Sequence, residues 1–189
     1  MQILVPRKLE YDDLPIRVKW FNTPSVYLQM PLNVPVSLSE TNKWFSERLL
    51  LNEARRDFAF DINKTNSDNS TLAAMAGLTS IDYQNLRAEL YIVVNPDMTG
   101  RGIGQEALRW LCNFGFFHLG LNRIFLFTVK NNTGARKFYE KHGFKEEGIL
   151  REHAFHHGKL IDRHIHGLLR SEWERFSWCN KEFSFKIFI

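Results

Sequence analysis

The sequence predicts one α/β domain of the α+β kind, with a central mixed, mostly antiparallel sheet and helices on both faces. The order of local patterns, β-α-α-β-β-β-α-β-α-β-β, carries this prediction, and no internal repeat or low-complexity linker interrupts it. The chain has 189 residues, of which 44% are hydrophobic and 24% charged, which suits one domain with a sizeable core. We therefore expect one domain over 1–189, with its core at about 5–173 and a tail at 174–189.

Seven strands are predicted from alternating or continuous apolar runs that end at turn residues. They lie at 3–8, 58–62, 71–80, 88–94, 124–129, 144–155 and 159–169. The polar stretch 63–70 predicts a hairpin loop, and His157-Gly158 predicts the turn of the last hairpin. The run 124–129 is continuous and apolar, which favours a buried strand.

Four helices are predicted from capping residues and helical periodicity. They lie at 12–21, 37–52, 102–119 and 133–142. Asp12 and Asp13 are placed to cap the first helix, since aspartate favours such positions. Ser37 and Glu40 have the spacing of a capping box for the second. Prolines break up the stretch between these two helices.

The turn after the strand at 88–94 is the most informative segment. Gly100, Gly102 and Gly104 lie where this strand passes into a helix. Glycine lets backbone N–H groups approach a ligand, and a helix N-terminus carries about half a positive charge. The turn is therefore predicted to bind an anion, and a pyrophosphate suits it. A glycine-rich turn without a ligand is the alternative.

Two nucleotide-binding patterns do not fit this turn. A P-loop needs Lys-Ser or Lys-Thr after its glycines, and neither follows. A dinucleotide site needs a third glycine where Gln105 stands, and an acid near residues 129–131, where none stands. The segment Thr99-Gly100-Arg101-Gly102-Ile103-Gly104 instead resembles the coenzyme A turn of the GNAT acetyltransferases, Gln/Arg-x-x-Gly-x-Gly/Ala, with Thr99 as the departure.

Two more blocks extend the resemblance to about residues 5–173. Residues 129–144, with Asn132 and Tyr139, are similar to the strand-Asn-helix-Tyr segment of the family. The segment 147–153, followed by Gly158-Lys159 and Asp162, resembles the closing hairpin of the branch with the ribosomal-protein N-acetyltransferases. The resemblance implies a GNAT fold, splayed between the strands at 88–94 and 124–129, with acetyl-CoA as cosubstrate and no metal.

The resemblance also implies which residues hold acetyl-CoA. Backbone groups at 92–94 would pair with the pantetheine arm, the turn would hold the pyrophosphate, and Asn132 would hydrogen-bond the arm. The implied contacts are Ile92, Val93, Val94, Thr99, Gly100, Arg101, Gly102, Ile103, Gly104, Asn132, Ala135 and Phe138. Arg101, Arg136 and Lys137 are available to phosphates, or are solvated surface charges.

Acetyl transfer to an amine needs a base for the amine and an acid for the departing thiolate. Tyr139 matches the tyrosine of the family and is the expected acid, with a core tyrosine as the alternative. Glu89 resembles the glutamate that many members place on this strand and is the expected base, with a surface pair to Arg87 as the alternative. His153 is a second candidate base. No acetyl-enzyme is needed, and Cys112 is expected to serve packing.

The acceptor amine is predicted from a weaker resemblance. Residues 13–26 resemble the opening of GNAT enzymes that acetylate amino sugars on nucleotides, so a nucleotide-linked amino sugar is the leading acceptor. A diphosphate would suit the net charge of +4. An N-terminus of a ribosomal protein is the runner-up. A polyamine would want an acidic cleft, and the substrate-side segments 22–35 and 151–160 contain only Glu152 as an acid. A non-catalytic acyl-CoA sensor is the alternative from another class.

Other partners are limited by composition. No run approaches the roughly 20 apolar residues that span a bilayer, and no basic run marks a nucleic-acid patch. We expect a cytoplasmic protein without nucleic-acid or membrane partners. Five histidines crowd the last hairpin without a cysteine or carboxylate cluster, so surface or substrate contacts are expected there. They are His153, His156, His157, His164 and His166. The alternating residues at 183–189 predict a strand that docks on its own sheet or forms a homodimer.

Overall fold

Seven strands form one sheet in the computed structural model, which describes residues 4–49, 52–63 and 70–180. The strands are β1 (Leu4–Lys8), β2 (Arg56–Asn63), β3 (Ser70–Asp82), β4 (Arg87–Val94), β5 (Arg123–Val129), β6 (Lys145–His156) and β7 (Lys159–Leu169). Their order across the sheet is β1-β2-β3-β4-β5-β7-β6. Five of the six neighbouring pairs are antiparallel and β4 with β5 is parallel. The predicted mixed, mostly antiparallel sheet is confirmed.

Helices cover both faces of this sheet. They are α1 (Leu14–Phe21), α2 (Pro24–Tyr27), α3 (Leu38–Trp44), α4 (Ile103–Asn113), α5 (Thr133–Lys141) and α6 (Arg170–Trp173). Wider π-type turns, Phe45–Leu49 and Phe114–His118, extend α3 and α4. No helix within the described ranges has the length and apolar character to cross a membrane.

Two apolar cores result, one on each face. Residues of α4 and of the turn after it pack on β2 to β5 in the larger core, together with Trp173 of α6. Residues of α1 and the Phe45 ring pack on the opposite face in the smaller core, against Met75 and Val93. The larger core also receives Phe176 and Trp178, whose rings stack at 4.7 Å, so packing continues beyond residue 173.

The chain enters its first two helices differently from each other. Ser37 and Glu40 form the predicted capping box, with the Glu40 N–H 3.1 Å from the Ser37 hydroxyl. The predicted aspartate cap of α1 is wrong, because the buried Asp13 carboxylate accepts from the Glu10 N–H at 2.9 Å and pairs with Arg7 at 2.7 Å. A short 3-10 turn at Tyr11–Asp13 occupies the start of the predicted helix.

Several boundaries also differ from prediction. The second helix was expected to reach Asn52, but Asn52 is not helical; helical turns are described up to Leu49, and residues 50 and 51 lie outside the described residues. The proline-interrupted stretch contains α2, since Pro24 stands in its first turn, where a missing N–H costs nothing. The hairpin loop predicted at 63–70, apart from its two ends, lies outside the described residues. So does the alternating segment 183–189, with its docking and homodimer alternatives.

Candidate active site

A fork between β4 and β5 lies at the centre of the sheet. The two strands pair over only three positions, from Arg87 with Arg123 to Glu89 with Phe125. Past this point β4 stays with β3 to Val94, and β5 stays with β7. The backbone of β4 that faces the gap therefore has no strand partner between residues 90 and 94. Buried backbone groups need hydrogen-bond partners, so this edge suits an extended ligand that carries amides.

The glycine turn closes one end of this fork. Gly100 and Gly102 have φ angles of +78° and +80°, the left-handed region that favours glycine, and no atom lies within 4 Å of an added Cβ at either position. Gly102 is the N-cap of α4, and its carbonyl accepts from the Gln105 and Glu106 N–H groups at 3.0 and 3.1 Å. The N–H groups of the helix start that precede Gln105 have no intrahelical acceptor and point out of the helix end.

Gly104 holds this helix end close to the fork. A Cβ built at Gly104 would lie 3.4 Å from Val94 and 3.8 Å from the Phe138 ring, so α4 packs closely on the end of β4 and on α5. Thr99 and Arg101 are exposed beside the turn, while Ile103 is buried. The free N–H groups, the open space over the glycines and the helix dipole together fit a pyrophosphate.

Asn132 lies at the start of α5. Its side-chain oxygen accepts from the Ala135 N–H at 3.0 Å and thereby caps the helix. The side-chain NH₂ donates to no group within the described ranges, so it is available to a ligand. Behind it, the Arg136 Nε is buried and has no described hydrogen-bond partner, whereas Lys137 is exposed. Both halves of the predicted cofactor grip therefore lie on the same side of the sheet, through α4 and α5.

Tyr139 lies on the buried side of α5. It is 9% exposed, and its ring lies 5.1 Å from the Phe138 ring and 5.6 Å from the Phe144 ring. Burial, with a smaller contribution from the nearby Cys112 thiol, raises the pKa of Tyr139 above its ordinary value. Burial also raises the pKa of Cys112. Both groups are therefore protonated at neutral pH, which suits Tyr139 to the expected role of proton donor and Cys112 to the expected role in packing.

Glu89 stands at the last paired position of the fork and is half-buried. Burial raises the pKa of its carboxyl, while the charges of Arg163, Arg55 and His153 partly offset this. Within the described ranges its carboxylate forms no salt bridge. The alternative pairing with Arg87 is not seen, because Arg87 pairs with Asp82 at 3.3 Å. A half-buried carboxyl with a raised pKa and no ion pair is able to accept a proton from an incoming amine.

The face of the sheet that carries Glu89 is lined by cations and aromatic rings. Phe125 pairs with Glu89, and Phe127 follows on the same face because side chains alternate along a strand. The Arg163 guanidinium lies 4.4 Å from the centroid of the Phe127 ring, and the His153 ring lies 5.2 Å from it.

A bulge in β6 brings His153 to this position. Leu150 pairs with Arg163 and Ala154 with Ile161, so residues 151–153 oppose Asp162 alone. Glu152 has a φ of +51°, and its N–H donates to the Asp162 carboxylate at 2.9 Å. The bulge lines a surface groove formed by Ile149, Leu150, Arg151, Glu152, His153 and Asp162.

The turn of the last hairpin reaches back to α2. The His157 ring lies 5.6 Å from the Tyr27 ring, so the β6–β7 turn is in contact with α2. The two segments that were predicted to be on the substrate side therefore lie next to each other.

Two histidines of β7 correct the expectation of surface or substrate contacts. His164 and His166 are 6% and 0% exposed, because even-numbered positions of β7 face the larger core. His164 Nδ1 lies 2.9 Å from the Glu146 carboxylate, and His166 Nε2 lies 3.1 Å from the Thr128 hydroxyl. Burial lowers the pKa of His166. No group of three or more metal-ligating side chains occurs in the part of the chain that the structure describes.

The cationic residues of this face were not predicted from the sequence. Arg17 of α1 lies 4.0 Å from both the Phe21 and the Trp44 ring centroids, and burial lowers its pKa. Arg55 pairs with Asp57 at 2.5 Å and also lies over Trp44. Because side chains alternate along a strand, the sequence could have placed Arg163 and the buried His164 on different faces of the sheet. It could not have shown that β7 lies next to the fork.

Known proteins resemble the chain in sequence and in fold. The family model described as the acetyltransferase (GNAT) domain matches residues 4–145. An uncharacterised N-acetyltransferase, p20, of Bacillus licheniformis is 28% identical over 173 residues, which cover 90% of this chain and 94% of p20. The putative ribosomal N-acetyltransferase YdaF of Bacillus subtilis (strain 168) is 32% identical over 123 residues, 64% of this chain and 67% of YdaF.

A solved structure supports the same assignment of the fold. Spermidine N-acetyltransferase from Vibrio cholerae, in complex with CoA and spermine, superposes with a TM-score of 0.82 at 25% identity. The match covers 90% of this chain and 98% of that one.

Proposed function

The chain belongs to the GNAT family of N-acetyltransferases, with acetyl-CoA as its cosubstrate, and we propose that its acceptor is a primary amine on an anionic molecule. The leading acceptor is a nucleotide-linked amino sugar. The observation that carries the proposal is the environment of Glu89, a half-buried carboxyl at the fork whose pKa is affected by the charges of Arg163, Arg55 and His153. A carboxyl beside Arg163, both without a salt bridge in the described part of the chain, suits an acceptor that brings an amine and a negative group together.

The proposed grip on acetyl-CoA uses the fork and the two helix starts. The unpaired edge of β4 at Ile92–Val94 pairs with the pantetheine arm, and the Asn132 NH₂ donates to it. The pyrophosphate lies on the N–H groups of residues 100–104. The cosubstrate supplies an activated acetyl thioester, and a β4 N–H near Val93 is placed to bind its carbonyl oxygen. Such a donor stabilises the negative charge that develops there during attack.

Glu89 is the proposed base. An ammonium ion cannot attack, so one proton must leave the amine before or during the attack on the thioester carbonyl. The raised pKa of Glu89 moves it closer to working pH, where a carboxylate is a better proton acceptor. His153, exposed beside Phe127, remains the second candidate for this role.

Tyr139 is the proposed acid. As the C–S bond breaks, the thiolate takes the proton of the phenol, and the phenolate regains one from solvent. The raised pKa of Tyr139 keeps its phenol protonated at neutral pH, so the proton is present when the thiolate departs. The reaction is a direct transfer, since the buried Cys112 has no role as an acetyl carrier.

Two other acceptors have support from relatives. YdaF, described as a ribosomal N-acetyltransferase, favours a protein N-terminus, and the Vibrio cholerae enzyme was solved with spermine. Against a polyamine stand Arg163 and Arg17, which form no salt bridge among the described residues, because a polycation would be repelled by them. Glu152 and Asp162 are the acids of the β6 groove, and the Asp162 carboxylate is already used by the Glu152 N–H.

An assay of thiol release from acetyl-CoA tests the proposal and distinguishes an enzyme from a non-catalytic sensor. The panel is a nucleotide-linked amino sugar, the same amino sugar without its nucleotide, a peptide with a free N-terminus, and spermidine. We expect kcat/KM to be at least about 10-fold higher with the nucleotide than without it, from one charge-assisted contact. A higher kcat/KM for spermidine would contradict an anionic acceptor. Binding of acetyl-CoA without turnover of any amine would favour the sensor. The cytoplasmic location stays a prediction.

A further inference from the structure

Arg163 is a cation whose hydrogen-bonding capacity the fold does not use. Its Nε is buried and has no hydrogen-bond partner among the described residues. No described carboxylate lies within salt-bridge distance of its guanidinium, whereas Arg55 pairs with Asp57 and Arg123 pairs with Glu147. Burial lowers the pKa of Arg163, and the charge of Glu89 only partly offsets this. A buried Nε without a hydrogen-bond partner costs stability, so a functional reason for it is needed.

The position of Arg163 is next to the fork. Its register partner on β5 is Val129 and its guanidinium lies 4.4 Å from the Phe127 ring centroid, which fixes the plane of the group. Glu89 and Arg163 lie on the same face of the sheet and each affects the pKa of the other, yet no salt bridge joins them among the described residues. The proposed base and the guanidinium therefore face the same side of the fork.

We propose that Arg163 determines acceptor specificity by binding a phosphate or carboxylate that lies next to the reacting amine. The planar guanidinium gives two parallel hydrogen bonds to such an anion, a geometry that a lysine cannot copy. The anion would satisfy the donors of Arg163 while the amine reaches Glu89. The inference rests on the proposed function, since it names the residue that recognises the anionic acceptor.

The test compares acidic and neutral acceptors in Arg163→Met, Arg163→Lys and the parent protein. One pair is a phosphorylated amino sugar and its unphosphorylated form. The other is a peptide with Glu or Gln at its second position, which separates a phosphate from a carboxylate source. Methionine keeps the packing on Phe127 without the charge. Assays are run on the pH plateau, because loss of the Arg163 charge also raises the pKa of Glu89.

The matched control is Arg123→Met. Arg123 also lies over a phenylalanine of β5, 5.8 Å from the Phe125 ring centroid, but it is paired with Glu147. Arg123→Met should lower the melting temperature and leave the preference between acidic and neutral acceptors unchanged. The removed charge is the same in both variants, so a loss of preference in both would indicate long-range attraction and overturn the specific role.

We expect Arg163→Met to raise KM for the preferred acidic acceptor by about 10- to 100-fold, with kcat and the KM for acetyl-CoA nearly unchanged. Neutral acceptors should be unaffected, and Arg163→Lys should retain part of the preference. Equal losses on acidic and neutral acceptors would mean a packing role only and would overturn the inference. If the parent protein shows no preference for acidic acceptors, the proposed function fails first. If the parent protein and the Arg163→Met variant show the same preference for acidic acceptors, the proposed function stands and only the role of Arg163 fails.

Discussion

Replacing Gly102 with alanine tests whether the glycine turn is an anion site. The backbone of Gly102 has a φ of +80°, and alanine in the left-handed region costs about 1–2 kcal/mol. For a domain of this size, each kcal/mol lowers the melting temperature by roughly 2–4 °C. No atom lies within 4 Å of the new Cβ, so the methyl group adds no clash with the protein itself. It projects instead into the space proposed for the pyrophosphate, and acetyl-CoA should bind at least about 10-fold more weakly.

Gly120→Ala separates strain from binding. Gly120 also has a left-handed backbone, with a φ of +69°, and equally open space around its Cβ, but it lies between α4 and β5. Calorimetry should show similar losses of melting temperature in the two variants. Titration with acetyl-CoA should show weaker binding for Gly102→Ala alone. Equal, unchanged affinities in both variants would refute the assignment of the turn to the pyrophosphate.

Two further substitutions test the proton transfers. Glu89→Gln should lower kcat by about 10²- to 10⁴-fold and move the pH profile to higher pH, because only amine that is already deprotonated can then attack. Glu89→Gln should also raise the melting temperature at neutral pH, because folding raises the pKa of Glu89 and the half-buried carboxylate therefore costs stability. This cost is present at pH values above the unfolded pKa of Glu89 and disappears in acid, where the carboxyl is protonated in both states. An unchanged pH profile would favour His153 as the base. Tyr139→Phe should lower kcat while the affinity for acetyl-CoA, measured by titration, stays the same; an unchanged kcat would remove Tyr139 from the acid role.

Local patterns predicted the strands and the glycine turn because both depend on residues close together in sequence. The apolar run at 88–94 and the glycines at 100–104 are read directly from the chain, and Gly100 and Gly102 have the left-handed angles that glycine favours. The capping box at Ser37 is equally local. Each of these features can be predicted from a few residues that are neighbours in the sequence.

Long-range contacts explain what could not be predicted. Asp13 has the right residue type for a helix cap, but its carboxylate forms a salt bridge with Arg7. Arg7 is also paired with Asp61. His164 and His166 are polar, yet strand alternation places them in the core with Glu146 and Thr128 as partners. The cationic face forms where α1, β4 and β7 come together in the fold. The sequence of any one of these segments does not show that the other two lie next to it.

The gap that opens between β4 and β5 after three paired positions affects turnover, because acetyl-CoA and CoA are both proposed to bind there. The proposed grip engages the arm and the phosphates, which are the same in acetyl-CoA and in the CoA that remains after transfer. Spent CoA should therefore be held nearly as tightly as fresh acetyl-CoA, and departure of CoA becomes a candidate for the slowest step. The two compounds would compete for one gap in the sheet. The rate of acetylation would then follow their ratio in the cell, and not the amount of acetyl-CoA alone.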